Sequence, residues 1–463
     1  MSLHTLERIT IGTTMIKGLT NVRYAPEYQA ELRAGGSELD ATLRAIHAGV
    51  PLITFDTLDV SATLQLLFNS GGVAYMVPRL TVTGYPLILY LQSIDDGITR
   101  GGAGTNLGLK VTKGLLIPTR VSGDGALAVL SCALYVDYDG TNLPVQKLTA
   151  QTLPGGSGAG AATLSRLTSV LNGATAIGRV SDWTVDFGIQ VVRPPSRDIY
   201  PRDAHIVTYA PTATFRTADL SGALAVAGFA TTAAASGGVK FILANYDADN
   251  LGIETTGAVG LVARVNSRIA PRLLDFSGEV AQLDYLVVGR GNTAWNDATD
   301  SPMTLATGLS VPAETASVQT YKAGPAYDGA TRRDVRSGRL EFGLSVQGLQ
   351  PENQLWPTKV AVMTRTPELA LTLDDDDAYA ALGEGFALSA GWAQYLRALT
   401  SDGLPAADIT AVHIQILLSA GWVEPRGLDG RHGALSRGDI RVTTIKGANP
   451  LVTVSTGVAI AAL

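Results

Sequence analysis

Apolar and polar positions alternate with period two along much of the chain, as in WTVDFGIQV (183–191) and LEFGLSV (340–346). That period places one set of side chains on a buried sheet face, so these segments predict antiparallel strands. LLIPTRV (115–121), SGDG (122–125) and ALAVLSCALYVDY (126–138) read as strand, turn and strand, with glycine and aspartate at the turn positions that need positive φ. Helical spacing is confined to short pieces. In VSATLQLLF (60–68), Val60, Leu64 and Leu67 fall on one face, Asp59 stands at the N-cap, and NSGG stops the run. LSGALAVAG (220–228) follows Asp219 in the same way. The predicted class is mainly β, or β-rich α+β: sandwich or barrel domains, each with one short helix.

The alternating pattern also repeats on a larger scale. PLITFDTLDVSATL (51–64) returns as PTATFRTADLSGAL (211–224), which sets Phe55 on Phe215, Thr57 on Thr217 and Asp59 on Asp219. Self-similarity at this spacing marks a duplicated structural unit. Upstream, IKGLTNV (16–22) lies over IGRVSDW (177–183); downstream, Pro118 falls on Pro271 and Gly125 on Gly278 at one and the same spacing. A third, more divergent copy follows the same order. LEFGLSV repeats VDFGIQV, the TRT that ends at Thr366 echoes the opening stretch, and Pro425 and Arg426 match Pro271 and Arg272.

Three units of roughly 150 residues, an ordinary domain size, then fill the chain: 1–155, 166–298 and 316–463, with Gly/Pro/Ser-rich connectors at 151–165 and 296–315. The third is expected to carry a helical insertion. LDDDDAYAAL (373–382) puts four aspartates where a helix dipole favours them, and FALSAGWAQYLRAL (386–399) follows.

Composition narrows the function. Lys+Arg number 35 against 41 Asp+Glu, a net charge of −6, which argues against electrostatic capture of nucleic acid. Charged residues are 16% of the chain, below the roughly 25% usual for soluble domains. Either copies or partners cover much of the surface, or a GC-rich genome has favoured Ala and Gly; composition alone does not choose. The single cysteine, Cys132, excludes a disulfide framework and reads as an inert buried thiol. No stretch reaches the roughly 18 apolar residues of a membrane span, and MSLHTLERITIG lacks the apolar core of a signal peptide. A soluble chain without a membrane anchor is expected.

Candidate chemistry is sparse. The five histidines have no ligand-like spacing, and His205 and His413 read as satisfied strand residues. YDADNLG (246–252) lacks the acid that closes a calcium loop, and DYDGTN (137–142) is equally incomplete, so both predict hairpin turns. The aspartates at 374–377 read as a helix start rather than a cation site. GSGAGA (156–161) has no strand before it and reads as linker, not dinucleotide loop. The five tryptophans read as core anchors. No catalytic residue, cofactor or metal is expected. The residues that stand out are the repeat signature: Phe55, Thr57, Asp59, Pro118, Gly125, Phe215, Thr217, Asp219, Pro271, Gly278, Thr366 and Pro425.

A domain repeated within one chain supplies pseudo-symmetric interfaces, which build rings and tubes when the rotation closes. In its repeated units, its DVSATL and DLSGAL helix starts and its LLIPTRVSGDGALAV block, the chain resembles tail-tube proteins of tailed bacteriophages. The resemblance implies a non-enzymatic virion protein, made in the host cytoplasm without a signal peptide. It implies a homo-oligomer in stacked rings, with strands of adjacent units joined into a lumen-lining barrel. Other virion proteins would be partners, and DNA would pass through the lumen rather than be bound. Two chains would complete a sixfold-like ring if all three units act as tube domains; three chains would if only two do. The rival reading is a viral or surface adhesin. A glycan-cleaving enzyme ranks third, because no paired carboxylates stand out at strand ends.

Overall fold

The repeated Phe-x-Thr-x-Asp stretch is a buried corner between strand and helix. In the computed structural model, strand Leu52–Thr57 leads into α1 (Val60–Phe68) and strand Thr212–Thr217 into α2 (Leu220–Ala227). The buried Thr57 hydroxyl donates to the Lys17 carbonyl at 2.6 Å and accepts the Asp59 N–H at 3.0 Å. Thr217 does the same with the Gly178 carbonyl (2.7 Å) and the Asp219 N–H (2.9 Å). One hydroxyl thus satisfies two backbone groups where the chain leaves the sheet, which a buried corner requires. Asp219 caps α2, its Oδ1 accepting the Gly222 N–H at 2.9 Å and its Oδ2 the Gly178 N–H at 3.0 Å. Asp59 sits at the N-cap of α1 but makes no side-chain cap bond, contrary to expectation. There the Thr63 hydroxyl donates to the Asp59 carbonyl at 2.6 Å, and burial raises the Asp59 carboxyl above its ordinary pKa.

The structure describes residues 3–461 except 35–40, 71–72, 85, 96–98, 101–103, 125–126, 156–161, 228–231, 235–236, 248, 250–251, 295–297, 314–318, 375–381, 383–384, 389–390, 430–436 and 446–450. The fold is mainly β, with antiparallel pairing throughout. One strand order occurs three times in small five-strand paths: Val145–Gln151, Asn106–Val111, Leu87–Asp95, Leu3–Ile11, Thr14–Ile16; then Met303–Leu309, Ala258–Ala263, Val239–Asn245, Ser165–Asn172, Thr175–Ile177; then Val452–Val458, His413–Leu418, Trp392–Ala398, Tyr321–Asp328, Thr331–Arg333. Four further strands of each unit, with one short strand beside the last of them, enter a single long sheet of 15 strands among the described residues. Between the layers lies a common core in which Phe55, Ile53, Leu130 and Leu134 from the long sheet meet Ile9, Leu87 and Leu89 from the small one, with Leu64 and Leu67 of α1. The period-two alternation is the signature of this sandwich, one face buried and one solvated.

Three expectations change. Met303–Leu309, assigned to a connector, is the edge strand of the second small sheet. Trp392–Ala398, assigned to a helical insertion, is a central strand, buried at all but one position. A segment buried on both faces loses its period-two signature and cannot be told from a buried helix by pattern. Thr366 precedes its strand, Glu368–Leu373; the place of Thr57 and Thr217 is taken by Leu373, which has no hydroxyl to make the corner. Gly125, GSGAGA, Trp295 and the aspartates beyond Asp374 lie outside the described residues. Trp183, Trp356 and Trp392 are core anchors as expected, whereas Trp422 is 40% exposed.

Phe215 should carry much of the second core. It stacks on Tyr285 at 5.3 Å between ring centres, meets Phe241 edge-on at 6.0 Å, and Tyr285 in turn donates to the Ala223 carbonyl of α2 at 3.0 Å. Phe215→Ala is expected to cost about 3–5 kcal/mol, read as a lowered midpoint in denaturant unfolding.

Candidate assembly interface

The three units are welded edge to edge. Within the long sheet the first unit contributes Leu19–Ala25, Leu52–Thr57, Ala128–Val136 and Gly114–Gly123, in that spatial order. The second adds Val180–Asp186, Thr212–Thr217, Gln282–Val288 and Arg268–Asp275; the third adds Val335–Glu341, Glu368–Leu373, Arg437–Thr444 and Gly421–Asp429. The last strand of one unit therefore pairs with the first strand of the next. At the first joint Arg120 lies opposite Asp186, Val121 opposite Val185 and Ser122 opposite Thr184. At the second Leu273 lies opposite Glu341, Leu274 opposite Leu340 and Asp275 opposite Arg339. The central apolar pair is fully buried in both joints, as a cross-strand pair in a sandwich core should be.

The signature prolines mark where each joint begins. Pro118, Pro271 and Pro425 each sit at a β-bulge, with Thr119, Arg272 and Arg426 as the extra residue. Before the bulge, the outer edge of the strand is covered by a short strand of its own unit: Leu80–Val82, Thr232–Ala233 and Phe386–Ala387. After it, the edge is handed to the neighbouring unit. A residue without an N–H is tolerated at this change of partner because no ladder bond is lost there.

A second element clasps each joint. The first strand of every unit continues into a two-stranded arm: Tyr28–Ala34 with Ala41–Gly49, Ile189–Val192 with His205–Tyr209, and Leu344–Leu349 with Lys359–Arg365. The second arm lays Ile189, Val191 and Ile206 on Leu115, Ile117 and Ala133 of the first unit. Its far loop is pinned there by Lys113, which donates to the Arg202 carbonyl (2.7 Å) and contacts Asp203 (2.8 Å), and by Arg193, which donates to the Pro51 carbonyl (2.8 Å). The third arm grips the second unit: Trp356, fully buried, donates to the Asn292 carbonyl at 2.8 Å, and Arg290 donates to the Thr358 carbonyl at 2.7 Å.

Among the described residues, the two ends of the array are open: Leu19–Ala25 pairs only with Leu52–Thr57, and Gly427–Asp429 pairs only with Arg437–Asp439. Large apolar side chains are exposed at both ends: Tyr24 (38%), Leu32 (65%) and Ile46 (38%) at one, Trp422 and Leu428 (58%) at the other. These residues were not legible in the sequence. They obey the same alternation as covered strands, and only their position at the rim of the sheet leaves them bare.

The other sequence motifs that fall on described residues take part in the fold. Asp139 accepts the N–H groups of Thr141 (2.8 Å) and Asn142 (2.7 Å), which holds its carboxyl well below the usual range; the bend it makes of DYDGTN is not the expected hairpin turn, because Ala128–Val136 before it and Val145–Gln151 after it belong to different sheets. Tyr246 bridges to Ile253 across YDADNLG. The buried ring of His413 accepts the Ala398 N–H on Nδ1 (3.1 Å), so Nε2 carries the proton and donates to the Ala407 carbonyl (3.0 Å). His205 is exposed on its arm strand. Burial pushes the Cys132 thiol far up. Among the described residues no three His, Cys, Asp or Glu side chains form a metal-binding group. A cleft of about 550 Å³ in the second unit contains Arg166, Arg179 and Asp219, and the Asp219 carboxylate there is engaged by its two backbone amides. No described helix is long and apolar enough to cross a membrane. No protein-family model matches the chain, and no curated protein sequence matches it.

The first joint holds a titrating group. Asp137 is 4% exposed beside Lys113, Arg193 and Asp203, and burial pushes its carboxyl up to about 6. The folded chain keeps this proton to a higher pH than the unfolded chain, so stability falls as pH rises from about 4 through 6. Asp137→Asn should remove that slope and stabilise the protein above pH 7 by no more than about 3 kcal/mol, measured as the unfolding midpoint from pH 4 to 8.

Proposed function

We propose that this chain is a structural, non-enzymatic subunit that self-assembles into rings, and by stacking into a tube or similar virion conduit through which DNA passes. The observation that carries this reading is the joint itself. The chain already builds a long sheet by adding one unit to the next through a repeated strand pairing and a repeated arm, and it ends with one half of that joint open on each side. Open strand edges flanked by apolar side chains are a liability in a free protein and a binding site in an assembly. Heterologous contacts of this kind generate rings when the rotation closes.

The exposed face of the long sheet suits a conduit. Side chains alternating with the core residues include Asp182, Thr184, Arg216 and Asp284 in the second unit and Arg339, Glu368 and Arg441 in the third. Four of its arginines are paired across or along strands: Arg216 with Asp284 by two bonds of 2.7 and 2.9 Å, Arg426 with Glu424 at 2.7 Å, Arg339 with Glu341 at 3.4 Å, and Arg441 with Glu368. Arg120, which donates to the Thr184 hydroxyl at 3.1 Å, and Arg272 stand exposed on the same face without an ion pair among the described residues. A wall on which most arginines are neutralised in place, and which carries carboxylates beside them, leaves few charges to grip phosphates, so a polyanion meets little attraction. The phage tail-tube resemblance and residence in the virion belong to this proposal.

Negative-stain electron microscopy of the purified chain over a concentration series should show rings or stacked tubes with a central hole, increasing with concentration. Monomers or small closed oligomers at every concentration would overturn the reading and turn attention to a surface adhesin.

A further inference from the structure

We propose that copies of the chain join head to tail by a third instance of the internal joint, with Gly427–Asp429 of one copy pairing antiparallel with Arg23–Ala25 of the next. This deepens the assembly reading above and rests on it. The register follows from the ladders. Leu428 occupies the place of Val121 and Leu274: all three lie two residues beyond their bulge, opposite Gly438, Leu130 and Leu283 respectively. Tyr24 occupies the place of Val185 and Leu340, opposite Ile53 as those two lie opposite Ala213 and Leu369. In the same register Gly427 meets Ala25 and Asp429 meets Arg23.

Three observations fit that pairing. First, Leu428 and Tyr24 are 58% and 38% exposed, whereas their four counterparts in the internal joints are fully buried. The new joint would bury an apolar pair where the existing joints bury one. Second, the charges match: Asp429 opposite Arg23 reproduces Asp275 opposite Arg339. Third, the arms differ in the way an unfilled joint requires. Ile189–Val192 and Leu344–Leu349 alternate between covered and exposed positions, because one face lies on the preceding unit. Tyr28–Leu32 is exposed at every position, and Trp422, which takes the place of the arm-covered Leu115, is 40% exposed. The first arm of one copy would lie across Trp422 of the other.

One difference sets the strength of the contact. At the internal joints the N–H of Phe187 donates to the Thr119 carbonyl and that of Phe342 to the Arg272 carbonyl, both at 3.0 Å. The corresponding residue of the first unit is Pro26, which has no N–H. The joint between copies therefore forgoes one ladder bond and is weaker than those inside the chain, so assembly depends on concentration.

The test is a charge exchange on the full chain, followed by sedimentation over a concentration series. Arg23→Asp and Asp429→Arg should each raise the concentration for half-assembly by roughly tenfold, because like charges then face each other. The chain carrying both should return to within a few-fold of the wild type. In parallel, chains bearing Tyr24→Cys and Leu428→Cys are mixed under mild oxidation; a directly opposed cross-strand pair has the Cα spacing a disulfide needs. A covalent dimer should form in the mixture and not from either chain alone. Disulfides within one variant would indicate a symmetric contact and overturn the head-to-tail joint. Wild-type assembly that ignores both charge reversals, with no cross-link in the mixture, would overturn the joint and leave the assembly reading standing. A wild-type chain that stays monomeric throughout would overturn both.

Discussion

An edge strand carries a row of backbone N–H and C=O groups that must find partners, and this one constraint organises the molecule. Each unit alone would expose two such edges on its larger sheet. The chain satisfies one edge with the next, so that three sandwiches share a single sheet, and it caps the part of each trailing edge that lies before the proline bulge with a short strand of the same unit. The bulge divides the strand into a half that belongs to its own unit and a half offered to the neighbour.

Packing then reinforces what hydrogen bonding begins. Four cross-strand pairs at the first joint and three at the second make a short interface, but each joint also buries an apolar pair and receives an arm from the following unit. The arm is continuous with the strand that it locks, so pairing and clasping are coupled. Arg193 shows the coupling in one side chain: it stands in the second unit, bonds the first unit's backbone, and lies over the Tyr135 ring at 5.1 Å. Asp137 sits in the same place, where burial raises its carboxyl above the ordinary range.

Much of the repeat was legible because its constraints are local. Phe55 and Phe215 fill equivalent core positions, Thr57 and Thr217 make one hydrogen-bonded corner, and the three prolines mark one bulge. The third unit was harder to read where its chemistry departs. Leu373 has no hydroxyl to announce the corner, and Trp392–Ala398, buried on both faces, has no alternation to announce a strand.

By itself the sequence determined the class, the alternation of strands and two of the three corners, because propensity, turn chemistry and side-chain period act within a few residues of the chain. Only the tertiary structure decided which strands lie side by side and which edges stay open. Tyr24 and Leu428 look like any inward-facing strand residue, and what sets them apart from Val185 and Leu274 is the neighbour on their far side. That neighbour is fixed by the three-dimensional order of units, a long-range property that no local pattern encodes.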